Sequence, residues 1–138
     1  MVVIIDTGFL LALRNDKDDF HNIAKNVMRN MLQNKFGTII ISDYVFDETM
    51  TLAMVRTNQI NLVRDIEDYI FKSKRIRFQF IDEKQFNNSR KLFIKYFDHR
   101  LSFTDCTILS LFQSFPEPNF IATLEEPLRK LVTLVPGL

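Results

Sequence analysis

The chain is 138 residues long, which suits a single domain spanning 1–138 with a substantial core. Its apolar and charged fractions, 46% and 25%, are those of an ordinary globular protein, and a formal net charge of +1 leaves any phosphate-binding role to a local patch. A single Cys106 excludes an internal disulfide, no run reaches the ~18 apolar residues of a membrane span, and 1–5 lacks the basic start of a signal peptide, so a cytoplasmic location and no membrane association are expected.

Val2–Ile5 is a short, unalternating, β-branched run, the pattern of a strand covered on both faces. Asp6 ends it, and Thr7-Gly8 begin a turn into Phe9-Leu10-Leu11. The segment 20–35 places Phe20, Ile23, Ala24, Val27, Met28, Met31 and Leu32 on a regular 3.6-residue stripe and predicts a helix, with Gly37 placed to end it. A second strand is predicted at 38–41.

Ser42 can cap a helix over Asp43–Thr57. On that helix Tyr44, Val45, Leu52 and Val55 share a face with Glu48, whereas Asp47 points elsewhere. Thr57-Asn58-Gln59 reads as a break before a helix at 61–71. A strand at 76–81, a helix at 82–96, a helix at 104–115 and a strand at 120–122 follow, with a weaker strand at 131–135. Ser102 and Asp105 have the spacing of a capping box. Glu125-Glu126-Pro127 reads on its own as the acidic first turn of a short helix. Strands alternating with helices predict an α/β domain with a mostly parallel sheet of four to five strands, flanked by helices. Ligands bind such sheets at the carboxyl ends of the strands, where strand order reverses.

Asp6, Glu48, Asp105 and Glu125 each interrupt or end an apolar run, and an ionised carboxylate beside a core is costly unless paired or metal-bound. Taken singly, Asp6, Asp105 and Glu125 read as caps or first-turn acids, and Glu48 as a partly buried glutamate paired with an arginine. Together they suggest one cation site, and oxygen ligands of this kind suit Mg²⁺ or Mn²⁺. His21, His99 and Cys106 lack the spacing of a zinc site, and no acyl-transfer triad is spaced along the chain. Lys72, Lys74, Arg75 and Arg77 form one basic run; Arg90, Lys91, Lys95 and Arg100 form another that leads toward Asp105. Phe78, Phe80, Phe93 and Tyr96 are expected in the core rather than as base-stacking platforms.

These motifs resemble those of the PIN-domain ribonucleases, in particular the small VapC-like toxins of toxin–antitoxin pairs. The resemblance covers essentially the whole chain and is carried by Val3-Ile4-Ile5-Asp6-Thr7, by Ser42 to Thr49 with Glu48, by Leu101-Ser102-Phe103-Thr104-Asp105-Cys106, and by Phe120 to Glu125. It implies a three-layer fold and a metal-dependent endoribonuclease that hydrolyses RNA phosphodiester bonds. It further implies Asp6 and Asp105 as central Mg²⁺ or Mn²⁺ ligands, Glu48 as a ligand or water orienter, a small antitoxin partner and a homodimer. The pattern departs at Glu125, where the family has an aspartate; Glu126 stands beside it as a second candidate, and one-metal and two-metal chemistry both stay open. The alternatives are a catalytically weakened module that binds RNA or protein, and a receiver-like domain, which would place paired acids after its first strand.

Overall fold

A computed structural model of the chain describes residues 1–33 and 36–138. Among the described residues the order is β1 (Val2–Ile5), α1 (Thr7–Arg14), α2 (His21–Gln33), β2 (Thr38–Ser42), α3 (Asp43–Thr57), α4 (Ile60–Lys72), β3 (Ile76–Gln79), α5 (Glu83–Lys95), a 3₁₀ turn (Phe97–His99), α6 (Phe103–Ser114), β4 (Asn119–Ala122) and α7 (Glu126–Arg129). The four strands form one parallel sheet in the order β3-β2-β1-β4. Successive residues Val3, Ile4, Ile5 and Ile39, Ile40, Ile41 are all buried, so helices cover both faces of the central strands. Each such isoleucine contributes about 1.5–3 kcal/mol of burial.

The chain runs outward from β1 through β2 to β3, then returns to place β4 on the other side of β1. The reversal lies between β1 and β4, and Asp6 follows the last residue of β1 there. Asp6 also caps α1, a helix at a segment the sequence reads as a turn. Gly8 disfavours a helix intrinsically, but Phe9, Leu10 and Leu11 are buried and that burial outweighs propensity.

The other differences are local. The expected strand at 131–135 is reduced to a single parallel bridge between Ile121 and Leu134, because only Thr133 and Val135 bond to Ile121. The strand expected at 76–81 stops at Gln79, where the Ile81 amide turns to Asp43 Oδ1 at 2.9 Å. The predicted end of the 20–35 helix lies outside the described residues. Gly37, at φ +84°, precedes β2, and a Cβ there would overlap the Met1 carbonyl. Asn58, left-handed at φ 52°, closes α3 and forms the expected break. No helix among the described residues is long and apolar enough to cross a membrane.

Candidate active site

Three of the four acids meet where the strand order reverses. Asp6, Asp105 and Glu125 each offer a carboxylate oxygen, and these oxygens lie within 4.8 Å of one another. They come from the end of β1, the first turn of α6 and the residue before α7. Asp6 is fully buried and held on both oxygens: the Thr7 amide donates to Oδ1 at 2.7 Å, and the Thr123 hydroxyl donates to Oδ2 at 2.7 Å. Thr123 is the residue the sequence reading left out. Its signal is positional, since the register that pairs Ile5 with Ala122 brings the next residue of each strand together.

Asp105 is fixed by the expected capping box: Ser102 Oγ accepts the Asp105 amide at 3.0 Å, and the Ser102 amide donates to Asp105 Oδ2 at 2.9 Å. Glu125 is placed by its own amide, which donates to Thr123 Oγ1 at 3.1 Å. Glu126 is turned away into a 3.6 Å pair with Arg129, so Glu125 is the acid that joins the cluster.

Glu48 lies outside that group of three, although its charge reaches both Asp6 and Glu125. Its helical face differs from the expected one. The buried line of α3 is Val45, Thr49 and Ala53, whereas Val55 is 70% exposed and Glu48 is half-buried at the edge of that line. The apolar residues at 44, 52 and 55 therefore trace a face about 100° from the buried one.

The electrostatics of the cluster are unfavourable without a cation. Burial, with the charges of Asp105 and Glu48, lifts the Asp6 carboxyl to about 7 despite the hydrogen bonds from Thr123 and Thr7. Burial and the charges of Asp6, Asp105 and Glu48 lift Glu125 to about 8. Asp105 is raised by burial, against the opposing pull of its Ser102 hydrogen bonds. No arginine or lysine pairs with any of the three among the described residues. Thr7 Oγ1, beside Asp6, is buried without a hydrogen-bond partner. Three unpaired carboxylates and an orphaned hydroxyl fit an oxygen-seeking divalent cation. They do not fit zinc: His21 is engaged with the Ala12 carbonyl at 2.8 Å, and His99 stacks edge-on with Tyr96. Cys106 is buried, its thiol lifted to about 11 by burial and by Asp105, which leaves it inert.

Glu125 opens onto a cleft of about 490 Å³ whose walls include Gly8, Lys17, Phe20 and Arg56. Lys17 and Arg56 thus share a cleft with Glu125, whereas no residue of the first basic run lines it. Lys74 and Arg75 precede β3, at the amino ends of the strands, and Lys72 pairs with Asp68. Neither wall residue was singled out in the sequence, because each is an isolated charge. One aromatic expected in the core is not there, Phe80, which lies 71% exposed beyond the end of edge strand β3; Phe93 is 38% exposed, with its ring 6.1 Å from that of Phe103.

The PIN-domain family model matches residues 3–115. The chain belongs to the PIN-domain family. A search of curated proteins by sequence finds no match. Among solved structures, this PIN domain is similar to VapC20 of Mycobacterium tuberculosis, a toxin that cleaves the sarcin-ricin loop, with a TM-score of 0.77 and 20% identity over 91% of this chain and 92% of that one. It is also similar to VapBC2 of Rickettsia felis, solved with a fragment of its promoter DNA, with a TM-score of 0.65 and 17% identity over 100% of this chain and 96% of that one. At these identities the likeness is one of fold.

Proposed function

We propose that this PIN domain is a divalent-metal-dependent endoribonuclease of the VapC toxin type. The observation that carries the reading is the cluster itself: three carboxylates from distant parts of the chain, unpaired and mutually within 4.8 Å, at the switch point of a parallel sheet. Asp6, Asp105 and Glu125 would hold Mg²⁺ or Mn²⁺, with Glu48 close enough to orient a water or complete the set. A bound ion of this kind lowers the pKa of its water and offsets charge on a phosphoryl group. The chain's own part is positional. Thr123 and Thr7 fix both Asp6 oxygens, Ser102 fixes Asp105, and Lys17 and Arg56 offer cations to the phosphates of a strand lying in the cleft.

The same fold in the Rickettsia felis complex supports a small antitoxin as partner, and an apolar groove lined by Met50, Met54, Ile60 and Val63 between α3 and α4 offers a surface for a protein. We extend the proposal to a homodimer in the cytoplasm.

The test is an RNA-cleavage assay. Cleavage should require Mg²⁺ or Mn²⁺, stop with EDTA, and fall on the order of a hundred- to a thousandfold in Asp6→Asn and in Asp105→Asn. Cleavage that persists in both variants sinks the reading. A wild-type protein that binds RNA without cutting it turns the reading into a weakened module, the alternative that the glutamate at position 125 raises.

A further inference from the structure

Ser102, whose amide holds Asp105, is also one wall of a separate concavity of about 230 Å³. Its other walls are Phe93, Phe97, Arg100 and Leu101. Phe93 and Phe97 are 38% and 58% exposed, the Phe93 ring lying 6.1 Å from that of Phe103, so the fold leaves in water surface that a core would bury.

Arg100 is the unusual residue. It ends the 3₁₀ turn in the left-handed region, at φ 58° and ψ 34°, with its amide bonded to the Phe97 carbonyl at 3.1 Å. A single non-glycine residue occupies that region at a cost in strain, and glycine would close the same turn without it. Its guanidinium lies 5.5 Å from the centroid of the Phe97 ring and makes no ion pair among the described residues. Lys95, five residues earlier, lies over the ring of Tyr96 at 5.2 Å.

Two exposed rings and an unpaired planar cation, sharing a wall with the residue that fixes Asp105, have the chemistry for a flat aromatic ligand attached to a phosphate. We propose that Phe93, Phe97 and Arg100 form a subsite for an unpaired nucleobase of the RNA, guanine in preference, next to the phosphate at the acids. The inference rests on the ribonuclease reading above. Aromatic faces and guanidinium planes are how proteins hold splayed single-stranded bases. Arginine has donors and no acceptor, so the base edge it pairs with should offer two adjacent acceptors, as the O6 and N7 of guanine do.

The experiment measures affinity, with Ca²⁺ in place of Mg²⁺, for a labelled eight-nucleotide uridine RNA and for the same strand carrying one central guanosine. Wild type should bind the guanosine strand more tightly. Phe97→Ala and Arg100→Gly should each weaken that binding about tenfold and erase the preference. Arg100→Gly should do so with an unchanged or higher melting temperature, since glycine relieves the backbone; a merely structural arginine would not lose binding while gaining stability. Arg100→Lys should keep part of the affinity but lose the guanosine preference. Variants that bind and discriminate like wild type overturn the subsite. So do variants that leave RNA affinity intact but change the oligomeric state by light scattering, which would assign the surface to a second copy. If wild type cleaves RNA with Mg²⁺ while these variants match it in KM, the subsite fails and the ribonuclease reading stands. If wild type neither cleaves nor binds RNA, both fall.

Discussion

Ile5 and Asp6 are neighbours in sequence and are equally inaccessible to water, yet they do opposite things to the fold. Ile5, with Ile4 and Val3, fills the centre of the sheet, where each buried branched side chain stabilises by removing apolar surface from water. Asp6 sits at the end of the same strand with both oxygens hydrogen-bonded, beside two more carboxylates and with no ion-pair partner among the described residues. Its carboxyl is lifted to about 7, because burial and the neighbouring acids disfavour the charged form that the fold cannot easily solvate. One residue separates a stabilising position from a destabilising one. A local rule broken this way, at a sheet switch point, marks where stability has been yielded to chemistry.

The two positions should therefore separate in opposite directions when mutated. Ile4→Ala removes a fully buried side chain and should cost about 2–5 kcal/mol in chemical unfolding. Asp6→Asn keeps an acceptor for the Thr7 amide while removing the charge. It should unfold at an equal or higher denaturant concentration than wild type at pH 8 without metal, even though cleavage is lost. A clear loss of stability in Asp6→Asn would show that the acid serves the fold and would break the contrast.

The contrast should also depend on pH. Asp6 titrates at about 7 in the folded chain against an ordinary 3.8, and Glu125 at about 8 against 4.5. Between those values the folded state binds more protons than the unfolded one, so the contribution of these two groups to stability is greatest below about pH 4 and is lost as pH rises toward 8. The melting temperature of metal-free protein should fall from pH 5 to pH 8 by several degrees, ~1 kcal/mol being roughly 4 °C at this size. Mn²⁺ should raise it more at pH 8 than at pH 5, because the ligands must be deprotonated. A melting profile that is flat with pH, or an Mn²⁺ effect larger at pH 5, would contradict the cluster as drawn.

The same division governs how much was legible in the sequence. Strands β1, β2 and β4 could be read from short apolar runs, and α3 and α6 from their caps, because those signals are local. Asp6 and Asp105 were legible for the same reason: one closes an apolar strand and the other sits in the capping box that opens an apolar helix. What was not legible depends on partners far away in the chain. The helix α1 is hidden by Thr7-Gly8, since its stability comes from burying Phe9 and Leu10. The buried face of α3 was misplaced because Thr49, a polar residue, is wholly buried while Val55 is exposed. Thr123 reaches Asp6 across 117 residues of sequence, a relation fixed only by the register of β1 on β4.

Thr123 offers the smallest and most selective test of the contrast. Its hydroxyl is the one side-chain donor to Asp6 among the described residues, and it also accepts the Glu125 amide, so it couples two acids through a single oxygen. Thr123→Val keeps the shape and removes that link. Because hydrogen bonds to the ionised form favour it, Asp6 should then titrate still higher. The unfolding free energy should drop by only about 1–3 kcal/mol, the cost of an unmade buried bond to a charged group. The rising limb of the cleavage rate against pH should move to higher pH, while the affinity for RNA measured with Ca²⁺ stays close to wild type. An effect on stability without movement of that limb would make Thr123 a packing residue. Movement of the limb with little change in stability would show that the strand register, and not the acid alone, sets the charge of the site.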